Sequence, residues 1–123
     1  MKKVFIICPV RKLSEELRRV LLDYVLKLRQ EGAAVHWPPD DTNQDDPVGL
    51  NICKQNREAI YVADEIHIWF DESSPGSFFD IGMTFAFLRS SEKKIVLINQ
   101  DKVLPTPHKS FQNVLLELVK APS

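Results

Sequence analysis

Val4-Phe5-Ile6-Ile7-Cys8 is an unbroken apolar run closed by Pro9, and the fold follows from how it is read. It is too short for a helix and lacks the alternation of a half-exposed strand. It therefore predicts a strand buried on both faces of its sheet. Such a strand needs helices on both sides, and the next segment supplies one. Leu13, Leu17, Val20, Leu21, Tyr24, Val25 and Leu28 recur at helical spacing, with Ser14 placed to cap the start, Glu15 and Glu16 in the first turn and Gly32 at the end. Ala34 to Trp37 reads as a second strand, stopped by Pro38-Pro39.

The alternation continues. Asp40 to Asp46 is polar and acidic and reads as an exposed, solvated loop; the stretch lacks the glycine and the closing glutamate of a calcium loop. Asp46 and Pro47 are expected to cap and open a second helix, which runs to about Ala63 and carries Ile52, Ile60 and Ala63 on its apolar face. Glu65 to Phe70 reads as the third strand, Ser74-Pro75-Gly76-Ser77 turns into a third helix reaching about Leu88, and Lys94 to Ile98 is the fourth strand. A proline-rich loop follows, and Phe111, Val114, Leu115, Leu118 and Val119 mark a terminal helix. The order βαβαβαβα implies an α/β, flavodoxin/Rossmann-like sandwich: four to five parallel strands with helices on both faces, joined by right-handed crossovers. Ligands of such folds sit beyond the carboxyl ends of the strands.

A chain of 123 residues is one domain's worth, so residues 1–123 are read as a single domain. Sixteen basic against 17 acidic residues argue against a nucleic-acid polymer or a membrane surface as partner. No apolar run approaches the roughly 20 residues of a membrane span. Arg11 and Lys12 follow the basic Met1-Lys2-Lys3 too soon for a signal peptide, so a cytoplasmic protein is expected. Cys8 and Cys53 with three scattered histidines offer neither metal-ligand spacing nor a disulfide framework.

Asp80 is the most informative position. It sits near the start of a helix whose neighbours are Phe78, Phe79, Ile81, Met83, Phe85, Phe87 and Leu88. That helix is apolar nearly all round and is expected to be buried, in part within a subunit interface. Near a helix N-terminus Asp80 is expected to stay charged, as a nucleophile requires, or simply to complement the dipole. Asn56 falls midway between Ile52 and Ile60 on a packing face, either as a satisfied core amide or as a partner aimed at Asp80. Ser74, Gly76 and Ser77 offer hydroxyls and backbone amides at a helix start, an arrangement that suits an anion or simple capping. Arg11, just past the first strand, is a candidate phosphate contact or an ordinary surface residue. Cys8 lacks a histidine or helix start to make it a thiolate, and His67 reads as a core histidine. Asp71 ends the third strand as in a phospho-receiver, but Cys8-Pro9 stands where that fold needs an acidic pair.

The run Asn56-Arg57-Glu58-Ala59-Ile60-Tyr61-Val62-Ala63-Asp64-Glu65-Ile66-His67-Ile68, with Ser74-Pro75-Gly76-Ser77-Phe78-Phe79-Asp80-Ile81-Gly82-Met83, resembles the nucleoside 2-deoxyribosyltransferase family. That family has Asp or Asn on the second helix, an Ala-Asp pair opening the third strand, and Gly-Ser/Thr-x-x-Glu-x-Gly on the third helix. The likeness spans the chain in element order and is specific from Asn56 to Ala86. It implies an enzyme that transfers the sugar between bases, or a relative that hydrolyses 2′-deoxynucleoside 5′-monophosphates. No metal or organic cofactor is implied. Asp80 would be the nucleophile, one methylene shorter than the family's usual Glu, and Asn56 its orienting partner. Ser74 matches the monophosphate hydrolases, where free-nucleoside transferases have Asp. Arg11 and Ser110 would complete a phosphate site, Ser110 from a neighbouring subunit. A Tyr common on the family's first strand is absent; Phe5 is the aromatic there. The expected partners are a nucleoside or nucleotide and a second copy of the chain, as a homodimer or a dimer of dimers. The alternative is a non-catalytic nucleotide-binding or sensing module on the same fold.

Overall fold

The computed structural model describes residues 1–120. Four strands, β1 (Lys3–Ile7), β2 (Ala34–His36), β3 (Glu65–Ile68) and β4 (Lys94–Leu97), form one parallel sheet in the order β2-β1-β3-β4. Val4 pairs with Val35 on one side and Glu65 on the other, which makes β1 a central strand. Val4 to Cys8 are all buried, as an apolar run without alternation requires. The helices are α1 (Glu15–Gln30), a one-turn α2 (Pro38–Asp41), α3 (Leu50–Val62), α4 (Pro75–Phe87) and α5 (Phe111–Lys120).

The sheet divides two apolar layers. Val4, Ile6 and Cys8 point to one side and meet Leu21 and Val25 of α1 together with Trp37. Phe5, Ile7, Ile66, Ile68, Ile95 and Leu97 point to the other, against Ile60 of α3, Phe78 and Ile81 of α4 and Leu115 of α5. The chain leaves β1 toward β2, then crosses back over β1 to β3, and right-handed crossovers put α1 and α3 on opposite faces. The reversal opens a crevice beyond the carboxyl ends of β1 and β3, the usual ligand position in an open parallel sheet.

Three local details differ from the sequence expectation. Pro38-Pro39 do end β2, but they also open α2, with Pro38 at the first helical position, where a missing N–H costs nothing. The acidic stretch is therefore not wholly a solvated loop. Asp40 and Asp41 pair with Arg18 and Arg29 of α1, the Asp41 carboxylate accepts the Trp37 N–H at 2.8 Å, and Thr42 is buried. The helix expected from Pro47 starts at Leu50, because Gly49 turns the chain at a φ of 94°. Asp46 still caps it from a distance, its carboxylate accepting the N–H groups of Asn51 and Ile52 at 2.8 and 3.1 Å.

Candidate active site

Asp80 is the sixth residue of α4 and lies on the same helix face as buried Ser77 and Thr84. That face turns toward α3, and Asn56, buried midway along α3, presents its amide to the Asp80 carboxyl. The two make no close hydrogen bond, whereas behind Asn56 the Thr42 hydroxyl donates to its Oδ1 at 2.7 Å. Asn56 is thus held through its amide oxygen in the core, next to Asp80. Cys8 at the end of β1 and Cys53 on α3 complete the surroundings, each close enough for the carboxylate charge to raise its thiol pKa, after the larger effect of burial.

The electrostatics differ from the expectation that the helix start keeps Asp80 charged. Burial pushes its pKa up to about 7, with the Asn56 amide pulling the other way. The dipole acts over the first turn, and Asp80 lies beyond it among apolar side chains, so desolvation wins. A carboxyl of this kind changes protonation near neutrality, where a catalytic group is useful. Cys8 is the opposite case: burial dominates, the Trp37 indole lowers and Asp80 raises, and its thiol goes up to about 12. It is no thiolate. Trp37 Nε1 faces that sulfur without forming a good hydrogen bond and is buried without another partner.

The start of α4 is a compact hydroxyl pair. Ser74 caps the helix, its Oγ accepting the Ser77 N–H at 3.3 Å and lying 2.8 Å from Ser77 Oγ. Ser77 is buried, whereas Gly76 is exposed, and nothing stands within 4 Å of where a side chain on Gly76 would begin. The helix N-terminus is therefore open to an incoming anion beside the Asp80 face. Arg11 stands in an exposed turn past Pro9, and no hydrogen bond or ion pair among the described residues ties it to this cluster. Ser110 opens α5, its Oγ accepting the Asn113 N–H at 3.1 Å and lying 2.7 Å from Thr106 Oγ1. Within one chain it is not joined to Asp80.

Sequence reasoning missed Thr42, His36 and Cys53 as parts of this site. Thr42 sits in a run whose composition reads as loop, and only the turn of α2 brings it inward. His67 is the core histidine expected, held by Tyr24 Oη at 2.6 Å and Glu65 Oε1 at 2.8 Å. A cleft of about 480 Å³, not lined by Asp80, lies beyond β3 and β4 among Trp69, Asp71, Glu72, Lys102 and Gln112. Its polar groups are largely spoken for: Asn99 makes two 2.9 Å bonds to the Phe70 backbone, and Gln112 donates to Glu72. Among the described residues no cluster of His, Cys, Asp and Glu could hold a metal ion, and no helix is long and apolar enough to cross a membrane.

No protein-family model matches the sequence, and no curated protein matches it at a significant level. Solved structures do match. The Clostridium botulinum CMP N-glycosidase aligns with a TM-score of 0.57 at 25% identity, over 78% of this chain and 67% of that one. Such an alignment compares the arrangement of strands and helices. The chain is a distant structural homologue of a CMP N-glycosidase, kin to that enzyme at the level of a shared α/β fold.

Proposed function

We propose that this protein cleaves or transfers the N-glycosidic bond of a nucleoside or deoxynucleoside, or of its 5′-monophosphate, with Asp80 as nucleophile. The observation that carries the reading is the buried Asp80 carboxyl, faced by Asn56, in a fold shared with an enzyme that acts on CMP. In its ionised form Asp80 attacks the anomeric carbon. A C–O bond forms as the C–N bond breaks, and the base leaves with the bonding electrons and takes up a proton. Water, or a second base, then displaces the carboxylate from the sugar and restores Asp80. Asn56 donates to the carboxylate and aims it, while the Ser74–Ser77 turn receives the 5′ end of the substrate.

The aspartate is shorter than the family's glutamate, and catalysis falls steeply when a reacting atom is misplaced by about 1 Å. Intact-mass spectrometry after incubation with a mixture of nucleotides and deoxynucleotides tests the chemistry. A glycosyl adduct mapped to Asp80 is expected. Bound but unchanged nucleotide, with no adduct and no free base, would replace the enzyme by a sensor.

A further inference from the structure

An amide beside a carboxylate helps it only one way round, with Nδ2 facing the negative oxygens and Oδ1 turned away. Asn56 has no means of choosing that orientation by itself, since its two ends have nearly the same shape. The choice is made one step further back. Thr42 Oγ1 lies 2.7 Å from Asn56 Oδ1 and 2.7 Å from His36 Nε2, and Thr42 and Asn56 are 4% and 6% exposed.

A hydroxyl carries a single proton. Donated to Asn56 Oδ1, an atom with no proton to return, it leaves the Thr42 oxygen as an acceptor. His36 must then donate from Nε2. The two bonds run in one direction, His36 to Thr42 and Thr42 to Asn56, and they leave the Nδ2 end of Asn56 as the end that faces Asp80. Reversing the amide would set Oδ1 against the Asp80 carboxylate, a repulsion between two acceptors in a water-poor site. His36 is itself held in place, its ring stacked on Phe5 at 5.4 Å and 13°. Burial lowers its pKa, with Asp41 raising and Arg29 lowering it in smaller measure. The neutral ring with its proton on Nε2 fits this chain.

We propose that Thr42 and His36 are positioning residues of the Asp80 site, fixing the Asn56 amide so that its N–H groups face the carboxyl. The consequence for turnover rests on the glycosidase reading above; the effect on Asp80 does not. A ¹³C-carboxyl NMR titration of Asp80 separates the two, run on wild type, Thr42→Val, Thr42→Ser and Asn56→Leu with and without Thr42→Val. Thr42→Val is expected to move the Asp80 pKa upward by about half a unit, the scale of one weakened hydrogen bond. Thr42→Ser should keep the wild-type value, and Thr42→Val should add nothing in the Asn56→Leu background. In kinetics, Thr42→Val should lower kcat by about ten-fold with KM changed less than about two-fold, and Thr42→Ser should restore it. An unchanged Asp80 pKa in Thr42→Val, or an equal shift in both backgrounds, overturns the proposal. The predicted pKa pattern without base release from any nucleotide supports the positioning role and overturns the glycosidase reading. Should Thr42→Val fail to fold, ¹⁵N NMR of wild-type His36 still decides: a neutral ring protonated on Nε2 is expected, and one protonated on Nδ1 contradicts the chain.

Discussion

Asn56 on α3 and Asp80 on α4 are neighbours across two packed helices, and the amide pulls down the pKa of a carboxyl that burial has pushed up to about 7. The pair carries two opposed demands. Burial makes the carboxyl costly to ionise, and Asn56 returns part of that cost. A nucleophile has to be ionised, so activity should follow the Asp80 titration. The free-enzyme parameter kcat/KM for base release is expected to rise with pH and level off above about 7. A profile flat between about pH 5.5 and about pH 8.5 would detach Asp80 from the rate.

The same shift has a stability consequence of definite sign. The folded-state pKa of about 7 is above the ordinary carboxyl value of 3.8, so the folded protein holds this proton more tightly than the unfolded chain. The contribution is fully present below about pH 4 and is lost as pH rises through about 7. Asp80→Asn keeps the shape and removes the ionisation. It should unfold at a higher temperature than wild type at pH 8, by up to a few kcal/mol in stability, with a smaller difference at pH 5. Equal differences at the two pH values in thermal unfolding would show that Asp80 is not desolvated.

Substrate choice should follow the open N-terminus of α4. With Ser74 and Gly76 at that terminus, and with Arg11 of the loop after β1 reaching the same phosphate, a nucleoside 5′-monophosphate is expected to bind better than its nucleoside. Hydrogen bonds to a charged group contribute about 1.5–3 kcal/mol each. Ser74→Ala and Arg11→Ala should each reduce that preference by about ten-fold or more in calorimetry. Equal affinity of wild type for the two ligands would remove the phosphate site.

Assembly is testable on α4 as well. Phe79 and Phe85 are 57% and 59% exposed, whereas Phe78, Ile81, Met83 and Phe87 pack inward. Exposed aromatic surface of this kind on one helix favours a self-complementary interface. Sedimentation at micromolar concentration is expected to show a dimer or a dimer of dimers, and Phe79→Ser with Phe85→Ser should shift it to monomer. A monomeric wild type would contradict this.

The layered fold was legible because its signals are local. The unbroken Val4–Cys8 run, the 3.6-residue spacing from Leu13 to Leu28 and the Ser74-Pro75 start of α4 each specify an element without reference to the rest of the chain. Asp80 and Asn56 stood out because a charge and an amide interrupt apolar faces. The remainder depended on how elements meet. Thr42 looks like loop until Pro38 opens a helical turn that carries it inward, and His36 reads only as the end of a short edge strand. The raised Asp80 pKa was invisible for the same reason: the helix-dipole argument uses position along the helix, while burial is decided by what α3 brings against it.

The central claim is that Asp80 is the nucleophile, and base release followed by chromatography tests it most directly. CMP, dCMP and the other monophosphates would be incubated with wild type, Asp80→Ala and Asp80→Glu. Wild type should release base from at least one of them. Asp80→Ala should lose that release by about a thousand-fold or more while still binding nucleotide, and Asp80→Glu should retain or raise it by restoring the longer reach. Release that survives unchanged in Asp80→Ala would contradict the assignment.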